Sequence, residues 1–377
     1  MKGITRLKNI DLETRIENLR REMQQADTDT VIIFSDENRR YLSGFTGSDG
    51  NYDESAGVLI ITSTDLLLAT DSRYDTQASQ EATLYNVSCY KENISKELPL
   101  LLKSVNSRKV GLETSRLTVE IYDKIKTKLK EESPEIITSS ADKFLKTLRI
   151  KKDNNEIEAI KKSLAISEQA FLKLRTIIHE DMTEKEAAWL LEKMIRENGA
   201  DCLSFPTIVA SGKNCALPHA IPGERKFNSN EPLLFDFGAK LKGYCSDTTR
   251  TIVIGEPDST FKEAYDTLFH AQKFAVEAIK PGIKCSEIDR VARDYIDNSK
   301  FTGRFGHSLG HGVGIAIHES PRLSKFDDTL LEAGMVVTVE PGIYIPEWGG
   351  IRLENMICVT DEGSEVLNKI SYDDYII

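Results

Sequence analysis

Apolar positions along the chain switch between a period of two and a period near 3.6, and each switch marks an element boundary. In the first half, short apolar runs at 30–34, 57–61 and 66–69 sit among segments of helical spacing, which predicts alternating strands and helices. Ser43-Gly44, Gly47-Ser48-Asp49-Gly50 and the charged turn near Asp71 punctuate them. The opening MKGITRLKNIDLETRIENLRREMQQAD reads as a charged amphipathic helix and lacks the apolar core of a signal peptide. A shift follows at 139–153. Residues 153–178 repeat at helical spacing behind a cap at Asp153 or Asn154. Thr183 with Glu186 forms a capping-box pair opening the next helix, which Gly199 closes. Further helices are predicted over 260–280, stopped by Pro281-Gly282, and over 287–299, capped by Ser286. Strands are predicted at 233–239, 244–254, 335–345 and 351–360. The pattern divides the chain into an α/β domain over 1–148 and an α+β domain over 149–377.

Composition narrows the class. The 377 residues are 40% hydrophobic and 29% charged, an ordinary globular balance, and no apolar run is long enough to span a bilayer. A formal charge of −11 opposes a nucleic-acid partner, whose phosphates it would repel. It fits an enzyme of small molecules. Six cysteines (Cys89, Cys202, Cys215, Cys245, Cys285, Cys358) are dispersed without C-x-x-C pairing, as expected of buried thiols in a reducing cytoplasm.

Two predicted hairpins carry the candidate chemistry. If LLFDFGAKLKGYCSDTTRTIVIG folds about Leu241-Lys242, Asp236 falls opposite Asp247 on one face; Leu-Lys is a poor two-residue turn, and Gly243 can support a bulge that shifts the register by one. Folding MVVTVEPGIYIPEWGGIRLENMICVT about Glu347 sets Glu340 opposite Glu354, and Pro341, which has no N–H, must interrupt the ladder beside Glu340. Like charges in opposition destabilise a sheet unless a cation lies between them. Asp236 lies between Phe235 and Phe237, too apolar a run for a freely solvated carboxylate. Three histidines, His307, His311 and His318, fall in GHSLGHGVGIAIHESP, and His219 lies in ALPHAIPG; His179 and His270 fall in helical segments and read as ordinary surface or half-buried residues. Four carboxylates and one neutral imidazole carry a formal charge that two divalent cations cancel. Such a donor set suits Mn²⁺, Co²⁺, Fe²⁺ or Zn²⁺, and paired ions activate water for hydrolysis. Spacing alone reaches a dinuclear metallohydrolase and does not choose its substrate.

The ordered set Asp236 in LLFDFGA, Asp247 in CSDTTRT, His311 in GHG, Glu340 in VEPGIY and Glu354 in IRLEN resembles the M24 pita-bread metallopeptidases. RRYLSGFTGSDG and DSRYDTQA are similar to the accessory domain of Xaa-Pro aminopeptidases and prolidases, with the joint near 145–155. The resemblance covers nearly the whole chain. It implies a creatinase N-terminal-like α/β domain before a pita-bread catalytic domain. The five residues become ligands of two divalent ions, manganese first, and Glu340 also accepts the proton of the attacking water. His219 and His318 match the non-ligand histidines that stabilise the scissile carbonyl and the tetrahedral intermediate. His307 belongs to the pocket wall, Tyr344 and Arg352 partner the ligands, and Arg322 in HESPR reads a substrate carboxylate.

The implied activity is an Xaa-Pro aminopeptidase acting on peptides with proline second, in a cytoplasmic homodimer whose N-terminal domain shapes the partner's cleft. Xaa-Pro dipeptidase activity is the alternative: GFTGS leans toward the first and Arg322 toward the second. Methionine aminopeptidases lack so long an N-terminal domain, and creatinases do not keep the metal ligands. An inactive binding module of the same fold would be expected to have lost ligands, and none is missing.

Overall fold

The computed structural model describes residues 2–49, 54–372 and 374–377, so the turn signal at Gly50 lies outside the described residues. The chain forms two compact units, Met1–Arg149 and Ile150–Ile377. In the first, the runs predicted as strands become Thr30–Ile33, Val58–Thr62 and Leu66–Thr70. They join Asn86–Cys89, Lys109–Leu112 and Ile137–Ser140 in one six-stranded sheet. The three strands of the first half pair antiparallel as a meander, and the rest are added in parallel behind helical crossovers. Residues 39–49 of the RRYLSGFTGSDG segment are organised by Arg39, which is wholly buried and donates to the carbonyls of Phe34, Gly47 and Gly57 and to Asp36 and Asp49.

The second unit is built from two helix pairs laid on strands. Helix Glu184–Glu197 opens on the expected capping box between Thr183 and Glu186, and Asn154–Arg175 opens on Asp153, one of its two candidate caps, which proves to form a capping box with Glu156 as well. Phe171 of the first stacks on Phe237, centroids 4.9 Å apart, and tilts onto Phe235. Helices Ser259–Ala278 and Cys285–Asp297 cover the other core, which Val337, Val339, Ile351 and Ile357 line from the strands. The last helix departs from expectation: it begins at Cys285 behind Lys284, and Ser286 does not cap it. The Ser286 hydroxyl donates instead to Asp328 at 2.6 Å. All six cysteines are free; four are buried, Cys202 is half-buried and Cys89 is exposed, so burial of every thiol does not hold.

The long strands predicted in this unit are broken, and each break coincides with a candidate site residue. Pro232–Phe237 pairs with Thr248–Val253, while Ala239–Leu241 pairs with Tyr244–Cys245 in a separate sheet, leaving Gly238 and Ser246-Asp247 between them. Likewise Val336–Val339 pairs with Asn355–Val359 and Gly342–Ile345 with Gly349–Arg352, leaving Glu340-Pro341 and Leu353-Glu354 in the gap. The ladder is thus interrupted where Pro341 requires it.

Tight backbone contact holds these sheets together at one position in particular. A Cβ on Gly310 would lie 1.9 Å from the Thr338 carbonyl oxygen, so only glycine fits ahead of His311. Gly310→Ala is expected to cost about 1–3 kcal/mol or more of stability by overpacking, read as a lower midpoint in urea unfolding. An unchanged midpoint would mean that the strands part without penalty.

Candidate active site

Register decides which side chains meet. The second hairpin folds about Glu347 as predicted: Gly342 opposes Arg352 and Val339 opposes Asn355, which brings Glu340 and Glu354 level across the gap. The first does not fold about Leu241-Lys242. Lys242 and Gly243 both have positive φ, 50° and 90°, the conformation a two-residue type I′ turn requires. The turn centre moves by one residue and the register by two, so Asp236 opposes Thr249 and not Asp247. A shift of two preserves the face of the sheet. Asp247 lies just ahead of the ladder, which begins where Thr248 opposes Phe237, and the Asp236 charge helps push its pKa up.

The carboxylates converge around His311, at the centre of strand Gly310–Gly312. Its Nε2 lies 3.6 Å from Asp247 Oδ2 and 3.4 Å from Glu340 Oε1. Nδ1 faces the Gly312 carbonyl at 3.1 Å. That acceptor puts the ring proton on Nδ1 and aims the Nε2 lone pair at the acids. Burial, with the His318 charge next, holds the His311 pKa down to about 4, so the ring is neutral. One ligating atom each from Asp247, His311 and Glu354 lie within 4.8 Å of one another.

Burial is the dominant force on the acids. It raises Asp247 and Glu354 well above the usual carboxylate range, reinforced by the neighbouring carboxylates. Burial also pushes Glu340 up to about 8, against the opposing pull of Arg352. Arg352 is the buried cation among them: Nη2 donates to Asp236 Oδ2 at 2.7 Å, Nε to the Thr249 hydroxyl at 3.1 Å, and Nη1 to Tyr344 Oη at 3.0 Å and the Pro218 carbonyl at 3.2 Å. The line continues to His307, whose Nδ1 faces the Ser308 carbonyl at 2.8 Å, so Tyr344 donates to its Nε2 at 2.9 Å.

A divalent cation fits this donor set. Asp236 Oδ1 is buried without a hydrogen-bond partner, an arrangement that is costly for a carboxylate oxygen unless a cation takes it. Three further carboxylates beside it and one neutral imidazole offer oxygen and nitrogen donors of the kind divalent first-row ions accept.

The remaining residues singled out from sequence surround this core. His318, on the loop before strand Glu319–Leu323, sets its ring edge-on to His311 with centroids 4.3 Å apart. His219 sits in an exposed turn whose preceding residue, Pro218, is held by Arg352, and its charge bears on both His318 and His307. Arg322 opposes His311 in register and is exposed, on the same face. His179 and His270 stay outside, each turned to a nearby backbone carbonyl. Two threonines escaped the sequence reading. Thr249 donates to Glu354 Oε2 at 2.7 Å, and Thr338 donates to Glu340 Oε1 at 3.1 Å while accepting the His311 N–H at 3.0 Å. Thr249 stands two residues after Asp247 and Thr338 two before Glu340, and that period-two spacing was the available signal.

The family described as metallopeptidase family M24 matches residues 158–361, a stretch that includes all five convergent residues. The chain belongs to metallopeptidase family M24. M24 enzymes use divalent metal ions, and the donor set above accords with that. The creatinase/prolidase N-terminal domain matches residues 15–151. The M24 chain is 37% identical over 360 residues to the Xaa-Pro dipeptidase of Pyrococcus furiosus, spanning 95% of this chain and 98% of that one. Among solved structures, the Xaa-Pro dipeptidase from Bacillus anthracis superposes with a TM-score of 0.89 at 39% identity, over 97% of this chain and 100% of its own. An X-Pro aminopeptidase from Thermotoga maritima gives 0.88 at 34% identity, over 96% and 99%. The fold is therefore a creatinase-type N-terminal domain followed by the pita-bread domain of M24.

Arg352 gives this M24 site its sharpest stability test. Arg352→Met removes the guanidinium paired with Asp236 and is expected to cost about 3–5 kcal/mol, the penalty for orphaning one member of a buried pair. Urea unfolding in the presence of a chelator measures it; a change below 1 kcal/mol (about a fivefold shift in the unfolding equilibrium) would mean that the pair is solvated.

Proposed function

We propose that the chain hydrolyses the bond between an N-terminal residue and proline, and that Xaa-Pro dipeptides are its preferred substrates. The observation that carries the dipeptide preference is Arg322: its guanidinium shares a face with His311, is exposed, and exerts its charge on both His311 and His318. A dipeptide presents its own carboxylate one residue beyond the scissile bond, within the reach of such a cation. The names of the relatives in Pyrococcus furiosus and Bacillus anthracis support this reading. Cleavage of longer Xaa-Pro-Yaa peptides is the second reading, favoured by the near-equal likeness to the Thermotoga maritima aminopeptidase.

In this reading Asp236, Asp247, His311, Glu340 and Glu354 hold two divalent cations, manganese being the first to test. When bound, such ions lower the pKa of a water and polarise the scissile carbonyl. The chain's own groups do the rest. Glu340 takes the water's proton on Oε2, because Oε1 is fixed by the Thr338 hydroxyl at 3.1 Å. It then delivers that proton to the proline nitrogen as the bond breaks. His219 and His318 donate to the carbonyl oxygen as negative charge develops there. Burial lowers the His318 pKa, and the neutral ring keeps one N–H for this purpose. Proline lacks the amide N–H that strand-reading peptidases require, and none of these contacts asks for one. Arg352 and Tyr344 hold Asp236 and His307 in place.

Two measurements test the reading. Chelation with EDTA should abolish cleavage of both Xaa-Pro and Xaa-Pro-Yaa, and Asp236→Asn should lose metal and activity while its circular dichroism stays native; activity surviving either change would sink the metal mechanism. Arg322→Ala should raise KM for an Xaa-Pro dipeptide by about 10–100-fold, the worth of a charge-assisted contact of 1.5–3 kcal/mol, and leave a C-terminally amidated Xaa-Pro-Yaa substrate unaffected. Equal losses on both substrates would refute the carboxylate role.

A further inference from the structure

We propose that Glu184 is a positioning residue for His219: it clasps both ends of the loop that carries the histidine and so sets where the imidazole stands. The inference rests on the role given to His219 above.

Glu184 is the first residue of helix Glu184–Glu197, and it is 1% exposed. A carboxylate there suits the helix N-terminus, but the helix is not its partner. Its oxygens are divided between the two arms of another segment. Oε1 accepts from the Ser211 N–H at 2.8 Å, the Ser211 hydroxyl at 2.8 Å and the Asn214 side-chain amide at 3.0 Å, all on the outgoing arm. Oε2 accepts from the Gly223 N–H at 3.1 Å, on the returning arm. The returning arm is also laid across the helix start, with the N–H groups of Glu184 and Lys185 donating to the carbonyls of Arg225 and Gly223, each at 3.0 Å. Arg225 in turn donates to the Ser211 hydroxyl at 2.7 Å, which ties the arms together a second time.

His219 stands between these two fastenings. The tip is a tight turn in which the Ala220 N–H donates to the Leu217 carbonyl at 3.1 Å, and Arg352 holds the Pro218 carbonyl at 3.2 Å. Packing contributes little at the tip itself: Leu217 is 58% and Ile221 89% exposed, and the loop's apolar anchor is the small cluster of Ala210, Cys215, Ala220 and Leu234. Position along this loop is therefore fixed chiefly by hydrogen bonds. Four of them end on one buried carboxylate, where charge-assisted bonds are strongest and the loss of the acceptor is most costly. A displacement of about 1 Å in a reacting group can cost on the order of 100-fold in rate.

Glu184→Gln tests this, because the side chain keeps its shape while one acceptor becomes an NH₂ facing N–H donors. In the metal-loaded enzyme we expect kcat to fall by about 10–100-fold with KM and metal content unchanged. Amide hydrogen exchange over 211–223 should accelerate while the rest of the chain keeps its protection. The decisive comparison is a double-mutant cycle with His219→Ala: if Glu184 acts through His219, adding Glu184→Gln to that background lowers kcat no further. Asn214→Ala removes one clasp contact from the loop side and should show the same pattern at a few-fold size; it carries the cycle if Glu184→Gln does not fold. Multiplicative losses in the cycle, or unchanged loop exchange in both variants, would overturn the proposal. A fully active His219→Ala would instead defeat the catalytic role of His219, and the exchange data would still decide whether Glu184 holds the loop.

Discussion

The catalytic unit answers to one electrostatic constraint: four carboxyl groups share a buried space, and the Arg352 guanidinium pairs with one of them. Burial raises the proton affinity of Asp247, Glu340 and Glu354, the Asp236 charge adds to it in each, and the Arg352 guanidinium offsets only part of the rise. No gain in apolar burial explains such a cluster, since replacing the acids by apolar groups would avoid both the desolvation and the repulsion. A fold that keeps it is organised for a ligand of opposite charge. The strand breaks follow from the same demand. A continuous ladder would point alternate side chains to opposite faces, whereas gaps at Gly238, Ser246-Asp247, Glu340-Pro341 and Leu353-Glu354 let acids from two hairpins turn toward one imidazole.

Fixing the acids falls to neutral hydroxyls and one cation. Thr249 joins Glu354 to Arg352, and Thr338 joins Glu340 to the His311 backbone, so each threonine couples an acid to the element opposite it. Hydroxyls suit this task because they donate to a carboxylate while accepting from a second donor, adding no charge to a crowded space. Arg352 extends the frame outward in two directions, through Tyr344 to His307 and through the Pro218 carbonyl to the turn that carries His219. The same guanidinium that pairs with Asp236 thus also holds the loop beside it.

Much of this was legible in the sequence, and the failures are as instructive. The Glu347 centre of the second hairpin was readable because Pro341 and the Trp348-Gly349-Gly350 turn leave few alternatives. The first hairpin differs from its expected register by two because the turn is Lys242-Gly243 and not Leu241-Lys242. Lys242 adopts positive φ without being glycine, and composition does not announce that. The register sets Asp236 opposite Thr249 and leaves Asp247 in the break ahead of the ladder. The Thr183–Glu186 capping box and the cap at Asp153 are legible from a few residues each, since their bonds are local. Ser286 deceived for the converse reason: an aspartate 42 positions away took its hydroxyl. Glu184 carried no local signal at all, because its partners lie 27 to 39 residues along the chain.

That contrast separates two kinds of information. Residues that must bear charge or ligate are few in type and stand out against apolar strands, so a pattern of acids is visible before any fold is known. Residues that hold them are ordinary threonines, glycines and a glutamate at a helix start, and their role exists only after distant segments meet. The division has an energetic consequence. A cation held by this cluster would bind the folded chain and not the unfolded one, so loading and stability become one equilibrium. The supporting residues then act on both together, because whatever keeps the acids converged keeps the site competent to accept its charge.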